Sequence, residues 1–163
     1  MKKFCLAITA LLLLIFCAGL KAQTVPARLD QQKLMQQYLG TWQANAGKDT
    51  LEVWDFQQFG KTLIINTSNV IKGKKNPLYV NNLGFDAKES KFKGYVLMND
   101  GSYGTWIGAF TSDKKFEGID VVDFNTSMTY AKFENVMTDA KSFIWTSVGS
   151  DGSKSVLKFS KVK

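Results

Sequence analysis

Along the chain, the spacing of hydrophobic and polar residues changes near residue 40. In "ARLDQQKLMQQYL", residues 27–39, Leu34, Met35 and Tyr38 share one side of a helix, and Gln and Lys occupy the other. After Gly40, β-branched and aromatic residues alternate with polar ones in short runs. The pattern predicts a short N-terminal helix followed by strands at residues 40–46, 50–58, 61–71, 77–86, 91–98, 103–111, 115–124, 128–137, 141–148 and 154–161.

The links between these strands are short. "NDGS" at 99–102 and "SDGS" at 150–153 contain Asp-Gly, which adopts the positive φ angles of tight hairpins. Links of this length exclude crossover helices, so neighbouring strands are antiparallel. We predict an all-β fold: one antiparallel meander β-barrel of about 8–10 strands, with the short helix at one end. A β-sandwich is the alternative, but closure removes the exposed edges of a sheet that has no disulfide.

The first residues have the composition of a secretory signal peptide. Lys2 and Lys3 precede the apolar run "LAITALLLLIFCAG", and the small residue Ala22 precedes a cleavage position before Gln23. We therefore divide the chain into a signal peptide (1–22), an N-terminal helical segment (23–38) and a barrel domain (39–163). The protein is expected to be exported to the periplasm or the extracellular space, with no stable membrane span after cleavage. A retained anchor is the alternative, although the run is short for a spanning helix.

The positions of the cysteines and the lack of histidine exclude several classes of catalytic and metal-binding site. Cys5 and Cys17 both lie within the predicted signal peptide, and the chain has no histidine. Lipidation at Cys17 is a further alternative, but Phe16 stands where lipoprotein processing selects a small residue. Without these residues the mature chain has no Ser-His-Asp or Cys-His nucleophile and no histidine ligand for zinc or haem. Only a hard cation on carboxylates stays open, and we predict neither a metal nor a cofactor.

The net charge is moderate. The full chain carries +7, and removing residues 1–22 lowers the basic count from 21 to 18 against 14 acidic residues, or about +4. The lysines are scattered apart from "IKGKKNP" at 71–77, which is typical of a solvated loop. Nucleic-acid binders instead show a basic stripe with aromatic residues interleaved, so we predict no nucleic-acid partner.

Gly-Thr-Trp occurs twice, in "YLGTWQANAG" at 38–47 and in "YGTWIGAF" at 103–110. Gly40 allows a sharp turn from helix into strand. Trp42 is expected to point inward and close one end of the barrel beside Tyr38 and Leu39, which is a structural role.

A Gly-x-Trp in the first strand of an antiparallel barrel, after a short helix, resembles the lipocalin and calycin group. The later pattern "LGFDAKESKF…NDGSYGTW…GAFTSDKKF…SDGSK" resembles a family of small bacterial proteins, secreted or cytosolic, with a lipocalin-like barrel and no assigned function. The resemblance covers most of residues 36–160. It implies a barrel with an interior cavity, and it implies no activity.

Strand alternation predicts which side chains face inward. Phe92, Val96 and Met98 oppose Lys91 and Lys93 on one strand. Phe116, Asp120, Val122 and Phe124 are expected to face inward on another, as are Leu157 and Phe159 near the end of the chain. Gly104 and Gly108 share a face with aromatic rings and leave room for something bulky. The predicted ligand-binding residues are Trp54, Phe56, Trp106, Phe110, Phe124, Tyr130 and Trp145, with Phe133 as an alternative to Tyr130.

Such a lining suits an apolar or amphipathic small molecule, although the same rings could fill the barrel completely. Asp120 and Asp123, in "GIDVVDF", fall on opposite faces of a strand and cannot cooperate locally. We expect a solvated strand-edge or loop carboxylate at Asp120, because buried Asp is rare. We therefore predict a non-catalytic, exported small-molecule binding protein. The alternatives are an envelope interaction module with a packed core and an enzyme that uses interior carboxylates and tyrosines.

Overall fold

The alternating residues after Gly40 form ten antiparallel strands in the computed structural model, which describes residues 29–162. A short helix, α1, spans Gln31–Met35, and a 3₁₀ turn spans Gln36–Tyr38. The strands are β1 (Gly40–Gly47), β2 (Thr50–Phe59), β3 (Thr62–Ile71), β4 (Lys74–Asp86), β5 (Lys91–Met98), β6 (Tyr103–Phe110), β7 (Lys115–Val122), β8 (Asn125–Asp139), β9 (Ser142–Gly149) and β10 (Lys154–Lys161).

Each strand pairs with its neighbours in sequence, and the last strand pairs with the first. The closing ladder joins Trp42 to Lys161 and Ala44 to Phe159. This architecture confirms the predicted closed meander barrel of lipocalin-like type, and it excludes the sandwich. Every strand therefore has a partner on both sides, and the β1–β10 ladder that closes the barrel is the shortest, with three residue pairs.

Two hairpins turn as their Asp-Gly sequences predict, with φ of 87° at Gly101 and 83° at Gly152. The turn between β7 and β8 was not predicted. Asp123 and Phe124 both have positive φ, 48° and 59°, in the two-residue connection between paired residues of β7 and β8. The prediction that this strand continues to residue 124 is therefore wrong.

The inward orientation predicted for Val122 and Phe124 is also wrong. Their side chains are 42% and 39% exposed. A register shift between Asp120 and Val122 breaks the alternation before Val122, and Phe124 lies in the turn that follows.

One end of the barrel is covered by α1. The Asp30 carboxylate caps the helix by accepting a hydrogen bond from the Lys33 amide (3.0 Å). The Gln31 side chain donates to the Phe110 carbonyl (3.0 Å) and accepts from the Phe110 amide (2.7 Å), which ties α1 to the end of β6. The predicted helix over 27–39 is shorter in the structure. Residues 27 and 28 lie outside the described part of the chain.

At the same end, the side formed by β1, β9 and β10 is densely packed with aromatic rings. Gly40 has φ of 112° and turns the chain from the 3₁₀ segment into β1. Trp42 is fully buried, and its indole Nε1 donates to the Tyr38 carbonyl at 2.6 Å. Its ring meets Phe143 edge to face at 4.9 Å between centroids, and Phe143 in turn stacks on Phe159. We call this packed region the barrel floor.

The predicted signal peptide, with Cys5 and Cys17, lies outside the described residues. Within residues 29–162, no helix is long and apolar enough to cross a membrane.

Candidate functional site

Above the barrel floor, the interior is hollow. A cavity of about 260 Å³ lies inside the barrel. We call it the barrel cavity; it is lined by Met35, Tyr38, Trp54, Phe56, Ile65, Tyr79, Asn81, Leu83, Val96, Met98, Gly104, Thr105, Trp106, Phe116, Asp120, Tyr130, Phe133, Asn135 and Trp145. Most of these side chains are apolar or aromatic, with a few polar groups among them, as in small-molecule sites generally.

The cavity runs from the helix end toward the opposite end of the barrel. Met35 and Tyr38 form its base and are 5% and 1% exposed. Met98, at the end of β5, and Tyr130, on β8, are 41% and 45% exposed and form the mouth. Gly104 sits beside Tyr130: a β-carbon there would lie 3.3 Å from the tyrosine hydroxyl oxygen. The absence of a side chain at Gly104 therefore keeps space beside the mouth.

Trp106 forms one wall of the cavity, and a glycine on the next strand sets its position. A β-carbon at Gly94 would lie 2.0 Å from the Trp106 ring, so the indole lies directly over the β5 backbone. Its Nε1 donates to the Asn81 side-chain oxygen at 3.1 Å. Phe116 and Phe133 meet it edge to face, at 5.9 and 5.6 Å between centroids. These contacts leave the ring little freedom, so the wall is formed before any ligand arrives.

A second wall is formed around Trp54. Its ring centroid lies 4.4 Å from that of Phe159 and 5.9 Å from that of Trp145. The indole Nε1 donates to the Glu52 carboxylate at 2.6 Å. Glu52 is half-buried, and burial raises the pKa of its carboxyl group, while the bond from Trp54 lowers that pKa. This carboxylate thus already has a hydrogen-bond donor.

The polar groups of the cavity are acidic or neutral. Burial raises the pKa of Asp120 to about 6. Burial also raises the pKa of Tyr79, and the negative charges of Glu52 and Asp120 raise it further. Burial and the charge of Asp120 raise the pKa of Tyr130. Glu52, Tyr79, Asp120 and Tyr130 therefore belong to one electrostatic cluster.

The half-buried position of Asp120 in the cavity wall agrees with its predicted inward orientation and contradicts the expectation of a solvated strand-edge or loop carboxylate. Asp120 points inward because it alternates with outward-facing Glu117 and Ile119 on β7, and no reversal occurs before Val121. Asp123 lies at the exposed turn beyond the strand, where its carboxylate accepts from the Tyr103 hydroxyl at 2.8 Å.

The predicted ligand-binding residues fall into three groups. Trp54, Phe56, Trp106, Tyr130 and Trp145 line the cavity, and so does Phe133. Phe110 is buried with 3% exposure but packs against Tyr38 and Phe116 at the helix end, outside the lining. Phe124 lies in the exposed β7–β8 turn. The ligand-binding roles of the lining residues stay predictions.

Sequence reasoning missed most of the polar lining. Tyr79, Asn81 and Asn135 were not identified, although each shares a strand face with an apolar cavity residue. The available signal was strand period: Tyr79, Asn81 and Leu83 alternate along β4. Pro77, just before them, begins the strand predicted at 77–86. In the structure a register shift between Thr67 and Ser68 on β3 accommodates the proline.

Among residues 29–162, no group of three or more Asp, Glu, His or Cys side chains is placed to hold a metal ion. Among the described residues, Asp120 is the one carboxylate in the cavity lining, and Glu52 lies outside that lining.

Neither a protein-family model nor a curated protein matches the sequence. Among solved structures, the chain is similar to a redesigned beta barrel, mFAP1, whose structure was determined bound to DFHBI. The identity is 18%, the match covers 77% of this chain and 95% of that one, and the TM-score is 0.31. At that level of similarity, the match says nothing of what this chain binds.

Proposed function

We propose that this chain is an exported, non-catalytic binding protein that holds a small apolar or amphipathic molecule in the barrel cavity. The observation that carries the proposal is the cavity itself: packed aromatic walls line about 260 Å³ above the barrel floor. A barrel that served only as a packed scaffold would gain stability by filling this space, because empty apolar volume costs dispersion and transfer energy.

The volume limits the size of the molecule. The barrel cavity holds about 260 Å³. A compact molecule with one ring or a short branched chain fits this volume, whereas a long fatty acid or a retinoid would have to extend through the mouth past Met98 and Tyr130.

Export is supported by the composition of residues 1–22. Mass spectrometry of the protein recovered from a bacterial secretion host tests it. A mature chain that begins at Gln23 supports the proposal, and an intact N-terminus or a lipid adduct on Cys17 contradicts it.

Binding is tested with a panel of compact aromatic and alicyclic molecules, monitored by tryptophan fluorescence and thermal melting. Ligands that bind should change the emission of Trp54, Trp106 or Trp145 and raise the melting temperature. Val96→Phe fills the half-buried lining and should abolish the response. Val156→Phe is the matched control, because Val156 is 54% exposed and outside the lining. If no member of the panel changes either signal in the native protein, the proposal fails.

An enzyme that uses the same cavity is a second candidate, and one observation favours it. Asp120 has a pKa of about 6 and lies near Tyr79 and Tyr130 in the cavity, which is a suitable arrangement for proton transfer near neutral pH. The two functions differ in the fate of the bound molecule. NMR of a ligand after long incubation should recover it unchanged; conversion that disappears in Asp120→Asn would replace the binding proposal with the enzyme.

A further inference from the structure

Within the described part of the chain, the Asp120 carboxylate stands in the cavity wall without a hydrogen-bond or ion-pair partner. On β7 it lies opposite Trp106 of β6 and Ala131 of β8, neither of which carries a cationic or hydroxyl group. Among residues 29–162 it takes part in no ion pair, and burial alone accounts for its raised pKa. Burying a carboxylate without a partner lowers the free energy of unfolding. We therefore look for a role of Asp120 other than stabilising the fold.

Every titratable group that faces Asp120 is acidic or phenolic. Tyr130 faces it from β8 and Tyr79 from β4, and the charge of Glu52, on β2, also acts on Tyr79. The cavity lining contains no lysine or arginine. The ion-paired lysines of the described chain, Lys93 and Lys115, bond to carboxylates on the outer surface. The barrel cavity is therefore negative in a protein whose net charge is positive.

Independent observations in the same cavity also indicate a donor ligand. Asn135 lines the cavity, and its buried side-chain oxygen accepts no hydrogen bond within the described structure. Tyr38, which is 1% exposed at the cavity base, has a hydroxyl with no partner among residues 29–162. Both oxygens can accept a hydrogen bond from an N–H group. The aromatic faces of Trp106, Tyr79 and Tyr130 also attract cations.

We propose that the barrel cavity selects compact aromatic or alicyclic amines, with the protonated nitrogen beside Asp120 and the ring among the aromatic walls. This ligand class rests on the proposed binding function and narrows it. A carboxylate-bearing molecule would meet like charge without a compensating cation, and a neutral molecule would leave Asp120 unpaired. The selectivity arises from one charge in a confined apolar space, where charge-assisted hydrogen bonds are stronger than neutral ones.

The test compares three probes of similar size that differ in one group: 2-phenylethylamine, 2-phenylethanol and phenylacetate. Calorimetric titration of the mature protein near pH 8 should show the amine binding about tenfold to a hundredfold more tightly than the alcohol, with phenylacetate weakest. Asp120→Asn should abolish the preference for the amine while the alcohol still binds. Glu117→Gln, the same charge change on the outward face of β7, should leave the preference intact.

A titration of the native protein tests the proposal without a variant. The amine stays protonated between about pH 8 and pH 5, whereas Asp120 gains a proton as the pH falls through its pKa of about 6. Affinity for 2-phenylethylamine should therefore fall over this range, and affinity for 2-phenylethanol should stay level.

The failures of the two proposals are distinguishable. If the alcohol or phenylacetate binds as tightly as the amine, or if the amine preference persists in Asp120→Asn, amine selectivity is overturned while small-molecule binding stands. If none of the three probes and no member of the wider apolar panel binds, small-molecule binding itself is overturned.

Discussion

The indole N–H of Trp42 and the carbonyl of Tyr38 form a buried hydrogen bond of 2.6 Å in the barrel floor. Trp42→Phe keeps an aromatic ring but removes the donor and leaves the carbonyl unpaired. We expect the free energy of unfolding to fall by about 2–3 kcal/mol, from an unsatisfied buried acceptor and lost volume. Urea denaturation provides the measurement.

Trp145→Phe is the matched control for Trp42. Trp145 is half-buried in the wall of the open cavity rather than in the packed floor. The same substitution there should cost about 1 kcal/mol or less. Equal losses at the two positions would contradict the division of the interior into floor and cavity.

Gly94 and Gly84 offer a second matched pair, both on strands next to the β4–β5 connection. Gly94→Ala would drive a methyl group to 2.0 Å from the Trp106 ring, whereas the nearest heavy atom to a methyl at Gly84 is the Lys93 carbonyl at 4.0 Å. We expect Gly94→Ala to cost about 1–3 kcal/mol through overpacking and to shift the Trp106 emission. Gly84→Ala should change stability by no more than about 0.5 kcal/mol. If both variants melt like the native protein, the Trp106 ring does not lie over β5.

At the scale of elements, Thr105 connects the second Gly-Thr-Trp to the β7–β8 turn. Its hydroxyl donates to the Val121 carbonyl (2.7 Å) and accepts from the Phe124 amide (3.1 Å). These bonds stabilise a turn in which Phe124 holds a positive φ that is unfavourable for a bulky side chain. The threonine of this motif therefore secures the hairpin next to the cavity strand β7.

Thr105→Val should release that turn. The substitution keeps the shape of the side chain and leaves the Phe124 amide without its acceptor, at a cost of about 1–3 kcal/mol. Amide hydrogen exchange at Phe124 should accelerate more than exchange in β3. Thr105→Ser, which keeps the hydroxyl, should retain most of the protection, and an unchanged exchange rate in the valine variant would contradict the role of the hydroxyl.

The strands of the barrel were predictable because their chemistry is local. Alternation between polar and apolar residues and the Asp-Gly turns gave ten segments close to those observed, and short links required the antiparallel order. The β7–β8 turn was missed because Asp123-Phe124 contains no glycine, although a two-residue turn with positive φ usually does. Its support comes from Thr105, a tertiary contact that no local pattern reveals. Phe124 was accordingly misplaced among the site residues.

At the scale of the molecule, the sequence left a packed and a hollow barrel equally open, and the structure combines them. The helix end is filled by Tyr38, Trp42 and Phe143, while the opposite half encloses the cavity. Aromatic side chains alone could not distinguish these halves, because Phe110 and Trp106 occur on the same strand face. Phe110 and Trp106 differ in their depth along the barrel axis, and that depth depends on the stagger of all ten strands.

Asp120 makes the stability of the whole barrel depend on pH. Its carboxyl group titrates near 3.8 when unperturbed and at a pKa of about 6 in the folded protein, so the folded state binds the extra proton between these values. The contribution of Asp120 to the free energy of unfolding is greatest below about pH 4 and declines as the pH rises through about 6.

Asp120→Asn removes the buried charge. The free energy of unfolding of this variant should exceed that of the native protein by about 1–2 kcal/mol at pH 7, and the difference should shrink toward pH 4. Urea denaturation across this range, with Glu117→Gln as control, provides the measurement. At Glu117 the hydrogen bond from Lys115 lowers the pKa, so this control should show a small difference of the opposite sign. An Asp120→Asn protein that is no more stable than the native protein at pH 7 would mean that the carboxylate is solvated, and the barrel cavity would then lack its unpaired charge.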